Sequence, residues 1–388
     1  MTKKKIFATI FPICENVHLT KDVGHIPYFL HKLYGYDAKI VTYKNNERYP
    51  GLDEEVKGLK LDFINNTGRL IFLEKAVLQY IWKNAKNIDV LNLYFFSKQS
   101  FVYGIMYKIL NPKGFLYLKL DAYNETFAEG GIVAHSQKRI KNIFLKQLEK
   151  WFLQKADLLS IETREGERLL KLMYPRNGNK IIYLPVGVND LFLNEHFSMP
   201  RGFEQKENII LTVGRIGAGI KNHEMILRAL TKVNMKDWKM YFIGKCQPEF
   251  LDFFDQACRQ FPDLKTNVVF TGEILDRIRL YEWYDRSKIF CLTSYRESFG
   301  ISMIEAFYFG NYIVGTDGVM SLKDVTANGS YGAILKYNDD ALAQTLQNLI
   351  DNDGQLSSKY NEIIKFAHEN FVWSKIIRKL HERIENGI

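Results

Sequence analysis

Two carboxylates, Glu297 and Glu305, are separated by seven residues in the segment Glu297-Ser-Phe-Gly-Ile-Ser-Met-Ile-Glu305, just after the apolar run Lys288-Ile-Phe-Cys-Leu-Thr293. A carboxylate accepts hydrogen bonds from two vicinal hydroxyls at once, as on ribose or a sugar ring, and needs no metal to do so. A second group, Ile209-Ile-Leu-Thr-Val-Gly-Arg215-Ile-Gly-Ala-Gly-Ile-Lys221-Asn222, places two cations among glycines. Glycines let a backbone approach a ligand closely, and helix N-terminal amides with their dipole favour phosphate. A diphosphate beside a polyol suits the two segments together. Each also has a plain structural alternative: Arg215 capping a carbonyl with Lys221 solvated, Glu297 supporting a helix dipole, and Glu305 as a solvated helix residue.

Local signals say what must position these residues. A strand ends near Ser294, Ser298 is a good N-cap, Ile301, Ile304 and Phe307 or Tyr308 recur at helical spacing, and Gly310 suits the stop. Glu297 is thus expected in the loop before a helix and Glu305 about two turns into it. The free amides after Ser298 can face a phosphate or a sugar. Likewise a strand over Asn208–Val213 runs into the glycine loop, with a helix expected to begin near Asn222.

Short apolar runs alternate with helical patterns throughout, the sequence form of βα units and a parallel sheet, so the fold class is α/β. In the first half Lys5–Ile10, Ala38–Tyr43, Val90–Tyr94, Phe115–Leu120, Leu158–Ile161 and Ile181–Leu184 read as strands. In the second, Asn208–Val213, Trp238–Ile243, Val268–Thr271, Lys288–Thr293 and Tyr312–Val314 do. With 388 residues, two doubly wound domains are expected, joined by the polar stretch Asn194–Asn208. The tail Lys359–Ile388 carries apolar residues at helical spacing.

Composition narrows the function classes. Hydrophobic residues at 46% and charged residues at 25% describe a packed globular chain. Four scattered cysteines give neither a zinc knot nor a disulfide framework. The net charge of +9 suits anionic partners, but the basic residues are dispersed and match no nucleic-acid motif, so no nucleic acid is expected. The start Met1-Thr-Lys-Lys-Lys-Ile6 is too short for a secretory signal, and Leu91–Leu110 is too interrupted for a membrane span. A cytoplasmic protein is expected. A helix over His135–Ala156 combines apolar Phe144, Leu148, Trp151 and Phe152 with Lys146, Lys150 and Lys155. It fits either ordinary packing on a sheet or weak peripheral contact with an anionic inner membrane face.

Together the two segments resemble glycosyltransferase family 4, whose members have the GT-B fold and carry a carboxylate, seven residues and a carboxylate after a strand of the second domain. The likeness continues through Val213-Gly-Arg215 with Lys221, Phe242-Ile-Gly-Lys245, Val269-Phe-Thr-Gly272 and Tyr284-Asp-Arg-Ser-Lys288. It reaches back to Ala156-Asp-Leu-Leu-Ser-Ile-Glu-Thr163 and Leu184-Pro-Val-Gly-Val-Asn-Asp190. It implies two facing Rossmann-like domains with a cleft between them: an acceptor domain over 1–193, a donor domain over 194–370, and a helix over 371–388 crossing back to the first, anchored by Trp373. Arg215 and Lys221 would then hold a donor pyrophosphate, with Lys245, Ser298 and the amides of Phe299, Gly300 and Ile301 also at the donor site. Glu305 would take the ribose hydroxyls, and Glu297 a hydroxyl of the transferred sugar. The implied reaction is retaining and metal-independent, with no cofactor. It moves a sugar from a UDP-sugar to a glycan, lipid-linked or polymer acceptor in cell-surface polysaccharide or glycoconjugate synthesis.

The first half departs from the family pattern. Its glycine-rich loop is replaced by Cys14-Glu-Asn-Val-His-Leu-Thr-Lys-Asp-Val-Gly24-His25, where Gly24 is the candidate to play that part. Where many members place His-Asp, this chain has Leu118-Lys-Leu-Asp121, which makes Asp121 the candidate acceptor-side base. A loop His25 or a strand-end Asp121 can equally satisfy local backbone groups. Asp351-Asn-Asp353 spells a metal-binding D-x-D but reads as a turn before Gly354. The competing reading from another class is a noncatalytic GT-B partner subunit.

Overall fold

The computed structural model describes residues 4–121 and 139–387. Its contacts divide the chain into two units, residues 1–190 with 373–388, and residues 191–372. The expected boundaries at 193 and 371 lie three and two residues from these.

Unit 1 is a wholly parallel sheet of β1 (Ile6–Ile10), β2 (Asp37–Thr42), β3 (Lys60–Phe63), β4 (Val90–Tyr94), β5 (Phe115–Leu120), β6 (Leu158–Ile161) and β7 (Ile181–Tyr183), in the order β3-β2-β1-β4-β5-β6-β7. The central strands read as continuous apolar runs because helices cover both faces of such a sheet. Leu91, Leu93, Leu116, Leu118, Leu159 and Ile161 are all buried in one core with Phe101 and Phe152. Each buried side chain of this kind contributes about 1.5–3 kcal/mol. Helix α1 (Asp22–Tyr34) follows β1, and α2 (Arg139–Lys155) precedes β6. Residues 135–138 of the expected basic helix lie outside the described residues. The edge strand β3 and a small hairpin, Arg69–Leu70 with Leu73–Glu74, carry no apolar run and escaped the sequence reading.

Unit 2 repeats the plan with β8 (Glu207–Val213), β9 (Lys239–Ile243), β10 (Val268–Gly272), β11 (Ser287–Leu292), β12 (Tyr312–Thr316) and β13 (Gly332–Leu335), ordered β10-β9-β8-β11-β12-β13 and again all parallel. The helices that matter for the site are α3 (His223–Leu230), α4 (Arg277–Arg286) and α5 (Ile301–Tyr308). A further helix at Asp190–His196 occupies the start of the expected linker.

The expected tail helix is two helices, α6 (Gly354–Asn370) in unit 2 and α7 (Trp373–Glu385) in unit 1. Helix α7 packs on α1. Trp373 is fully buried there, its ring 5.7 Å from His25 and 6.4 Å from Phe29. The Trp373 amide donates to the Val188 carbonyl at 3.0 Å, and the Ser374 amide to Asp190 Oδ1 at 3.0 Å.

Candidate functional site

In unit 2 the sheet order reverses between β8 and β11. Ligands of open α/β sheets bind beyond the carboxyl ends of the strands at such a point. The loops leaving these two strands, 214–222 and 293–300, hold the candidate residues. They are laced together: the Tyr295 amide donates to the Ile220 carbonyl at 2.8 Å. The Thr293 hydroxyl reaches the carbonyls of Asn222 at 2.9 Å and Lys221 at 3.2 Å. Lys221 Nζ forms an ion pair with Glu297 Oε2, to which the Ser294 hydroxyl adds a contact at 3.4 Å. Residues 76 positions apart in the chain thus share one mouth.

Arg215 is exposed, and no hydrogen bond or ion pair among the described residues engages its guanidinium. Lys245 is also exposed, and its carbonyl accepts the Ile216 amide at 3.0 Å, which brings the loop after β9 alongside. The cationic loop is braced by His223, a residue the sequence reading did not single out. The Gly217 amide donates to its Nδ1 at 3.0 Å. Burial, and after it the charge of Lys221, pushes the His223 pKa down to about 3, so the ring stays neutral and able to accept. Its position at the first residue of a helix after a glycine loop was the only available signal.

The helix after Glu297 starts differently from the expected pattern. Ser298 is not its N-cap: α5 begins at Ile301, and its cap is Gly300 at φ 81°, a left-handed conformation that glycine adopts without strain. The Glu297 backbone is pinned on both sides, its amide to the Gly318 carbonyl at 3.1 Å and its carbonyl to the Met320 amide at 3.0 Å. This fixes the carboxylate at the loop mouth. Phe299 is buried, and its carbonyl accepts the Ser321 hydroxyl.

Glu305 is neither solvated nor on the loop surface, for it is only 4% exposed. It faces α4: Arg277 Nη2 and the Tyr281 hydroxyl, at 3.5 Å, approach Oε1, and the Tyr284 hydroxyl donates to Oε2 at 3.0 Å. Burial, then the neighbouring carboxylate, holds the Tyr284 phenol far above its ordinary range and keeps it a donor. The Asp276 side chain caps α4 through the amides of Ile278 and Arg279, which sets Arg277 in the first turn. Arg277, Tyr281 and Tyr284 were missed because their role appears only once α4 lies beside α5. A carboxylate has about four acceptor positions, so three donors leave one open.

In unit 1 Gly24 is no loop glycine. It sits in the first turn of α1, where a Cβ would stand 2.0 Å from the Leu19 carbonyl oxygen, so close backbone packing accounts for it. His25 is likewise helical and buried among Phe29 and Trp373. Asp121 follows the end of β5, and burial raises its carboxyl pKa against the opposing pull of Lys119. Lys119, wholly buried, bridges Glu162 Oε1 at 3.0 Å and Asp22 Oδ2 at 3.3 Å. A lysine within the apolar run Phe115–Leu120 was the overlooked sign of this cluster.

The Asp351 and Asp353 carboxylates are drawn apart, to Lys236 at 2.6 Å and Lys288 at 3.2 Å, in the turn between two helices. Among the described residues no cluster of three or more His, Cys, Asp or Glu could hold a metal ion, and no helix is long and apolar enough to cross a membrane.

Residues 195–369, almost all of unit 2, match the family model described as glycosyl transferases group 1. Over 222 residues the chain is 24% identical to the Campylobacter jejuni GalNAc-alpha-(1->4)-GalNAc-alpha-(1->3)-diNAcBac-PP-undecaprenol alpha-1,4-N-acetyl-D-galactosaminyltransferase, a match spanning 54% of this chain and 58% of that protein. A solved glycosyltransferase from Rickettsia africae superposes with a TM-score of 0.71 at 17% identity, covering 99% of this chain and 98% of its own. Anabaena Alr3699/HepE, solved with UDP, gives 0.71 at 13% identity over 98% and 100%. The chain thus has the GT-B fold, and its second unit matches the group 1 glycosyl transferases.

Proposed function

We propose that the chain is a retaining glycosyltransferase of family 4 that moves a sugar from a UDP-sugar to a hydroxyl of a glycan, lipid-linked or polymer acceptor. The observation that carries this reading is the laced pair of loops at the unit 2 switch point. There Arg215 and Lys245 stand exposed and unpaired among the described residues, and Lys221 holds Glu297. Positive charge placed where a diphosphate leaves is what such a reaction most needs, and here protein cations supply it without a metal. Ser298 and the amides of Phe299, Gly300 and Ile301 add donors at the start of α5. Glu297, fixed at the mouth, orients a hydroxyl of the transferred sugar beside the reacting carbon. Glu305 offers its remaining acceptor position to a ribose hydroxyl, with Arg277 and Tyr284 holding it in place. The acceptor hydroxyl attacks from the face that the diphosphate leaves, and Asp121 in unit 1 is the candidate to take its proton. The Campylobacter relative, named for adding a sugar to an undecaprenol-linked glycan, supports a lipid-linked acceptor in cell-surface glycoconjugate synthesis.

A melting-temperature panel of nucleotide sugars identifies the donor, because a ligand selective for the native state raises the transition. Glu297→Gln is then expected to keep nucleotide binding and lose acceptor-dependent release of nucleotide diphosphate. Full turnover in this variant rules out the assigned role. Nucleotide binding by the parent with no release under any acceptor favours a noncatalytic partner subunit.

Helix α2 supports peripheral contact with an anionic membrane face from the cytoplasmic side. Phe152 and Leu153 dock it into the core, yet Ile143 and Phe144 are 68% and 67% exposed beside exposed Lys146 and Lys150. Salt-sensitive sedimentation with phosphatidylglycerol vesicles, lost in Phe144→Ser, is the expected result. Equal sedimentation with neutral vesicles, or none with either, excludes the contact.

A further inference from the structure

One face of the unit 1 sheet carries a polar seam toward its carboxyl end. Parallel pairing sets Thr9 beside Asn92, Asn92 beside Tyr117, Tyr94 beside Lys119, and Lys119 beside Ser160, so these residues share a face. All are buried. The Thr9 hydroxyl donates to Asn92 Oδ1 at 3.1 Å, and the Tyr117 and Ser160 hydroxyls are bonded at 2.7 Å. The alternate positions, Leu93, Leu116, Leu118, Leu159 and Ile161, belong to the apolar core on the other side.

Charges gather where the seam ends. Lys119 Nζ, besides its ion pairs with Glu162 and Asp22, donates to the Leu120 carbonyl at 3.1 Å. Glu162 and Asp121 stand just past the ends of β6 and β5, and Asp22 comes from the first turn of α1, next to half-buried Lys21. The Asp121 charge acts on Lys119, Glu162 and Tyr94 alike. Tyr94 holds a buried hydroxyl with no hydrogen-bond partner among the described residues. Burial, and after it the charge of Asp22, keeps that phenol protonated, a spare donor in a network left open.

Packing does not demand ions here, because a buried ion pair gives no more stability than well-packed apolar residues of its size. Buried ionic clusters of this kind gather at functional sites. One lysine meets three acids, Asp22, Asp121 and Glu162, so full ionisation would leave negative charge uncompensated. Glu162 is 6% exposed, and burial pushes its carboxyl up to about 7 against the opposing pull of Lys119.

We propose that Lys119, Glu162 and Asp22 are positioning residues for Asp121: the clamped lysine is its fixed counterion, and Glu162 stores the proton that leaves Asp121 an ionised base. That Asp121 serves as the base rests on the transferase reading above. In the transfer, the acceptor O–H bond gives its proton to Asp121 and its electron pair to the sugar carbon. The bond from that carbon to the diphosphate oxygen breaks, and the diphosphate leaves with that pair.

Carbon-13 NMR of the full chain, labelled at its Asp γ- and Glu δ-carboxyls, tests the cluster without an acceptor. Loss of a signal in Asp121→Asn and in Glu162→Gln assigns the two groups. The Asp121 signal is expected to show a second inflection at the pH where Glu162 ionises, and to lose it in Glu162→Gln. In Lys119→Met its main midpoint should rise by about one pH unit or more, and Lys119→Arg should restore it. Glu162→Gln keeps the size and the acceptor oxygen of the side chain, so it remains informative if Lys119→Met folds poorly. A single Asp121 inflection that none of these variants moves overturns the proposal. Asp121→Asn is expected to keep UDP binding and lose acceptor-dependent release of nucleotide diphosphate. Full release in that variant, with the titrations as expected, would keep the cluster and remove Asp121 as the base.

Discussion

The two sheets share one order over six strands, to which unit 1 adds a seventh, with the reversal at β1 and β4 in unit 1 and at β8 and β11 in unit 2, yet the loops at these equivalent places are built from different residues. Unit 2 presents glycines, three cations and Glu297, with main-chain bonds lacing one loop to the other. Unit 1 presents Phe11, Tyr94 and Phe95 around the single acid Glu74, and Gly24, in the helix after β1, serves close backbone packing instead. Topology supplies a concave place at the carboxyl ends of the strands, whereas the residue types in the loops select the ligand class. A polyanion suits the first set.

The strongest way to break this comparison is to disturb the buried partner of unit 2. Glu305→Ala leaves the Arg277 guanidinium and the Tyr284 hydroxyl without their carboxylate, and removing one member of a buried ion pair costs about 3–5 kcal/mol. Urea denaturation should show that loss. A variant as stable as the parent would mean that α4 and α5 do not depend on this contact.

Arg215→Ala should separate ligand binding from folding, because no partner among the described residues is lost with it. Stability is expected to move by less than about 0.5 kcal/mol. UDP affinity should fall by about 1.5–3 kcal/mol, roughly ten- to a hundredfold, in titration calorimetry. Unchanged affinity would remove the cationic loop from the donor site.

A pH-dependent effect concerns the brace beneath that loop. The unfolded chain protonates His223 near its ordinary pKa of 6.5, whereas the folded chain does so only at about 3. Between these values the unfolded state binds the additional proton, so stability is lost as the pH falls, at up to about 1.4 kcal/mol per pH unit from this group. Between pH 7 and pH 4 the melting temperature should therefore fall less steeply in His223→Gln than in the parent. Identical slopes would exclude His223 as a contributor.

What could be read in the sequence follows from what leaves a local trace. The central strands did so, because a strand covered on both faces must be mostly apolar, as Val90–Tyr94 and Phe115–Leu120 are but for Asn92 and Lys119. Edge strand β3 did not, since Lys60-Leu-Asp-Phe63 is half exposed and lacks a continuous apolar run. Glu297, Arg215 and Lys221 were legible because glycines and a strand-to-helix transition frame them. The cap of α5 was misread because serine is the commoner signal, while Gly300 takes a backbone angle that only the folded loop reveals.

The sequence by itself determined the α/β class, the two-unit organisation and a cationic, carboxylate-bearing pair of loops, because periodicity, glycine placement and charge type are local properties. Only the tertiary structure decided that Lys221 meets Glu297, that Arg277 and Tyr284 enclose Glu305, and that Phe11, Phe95 and Glu74 share a cavity. Those contacts join residues up to 84 positions apart in the chain, and parallel crossovers bring them together only when the sheet has closed its core.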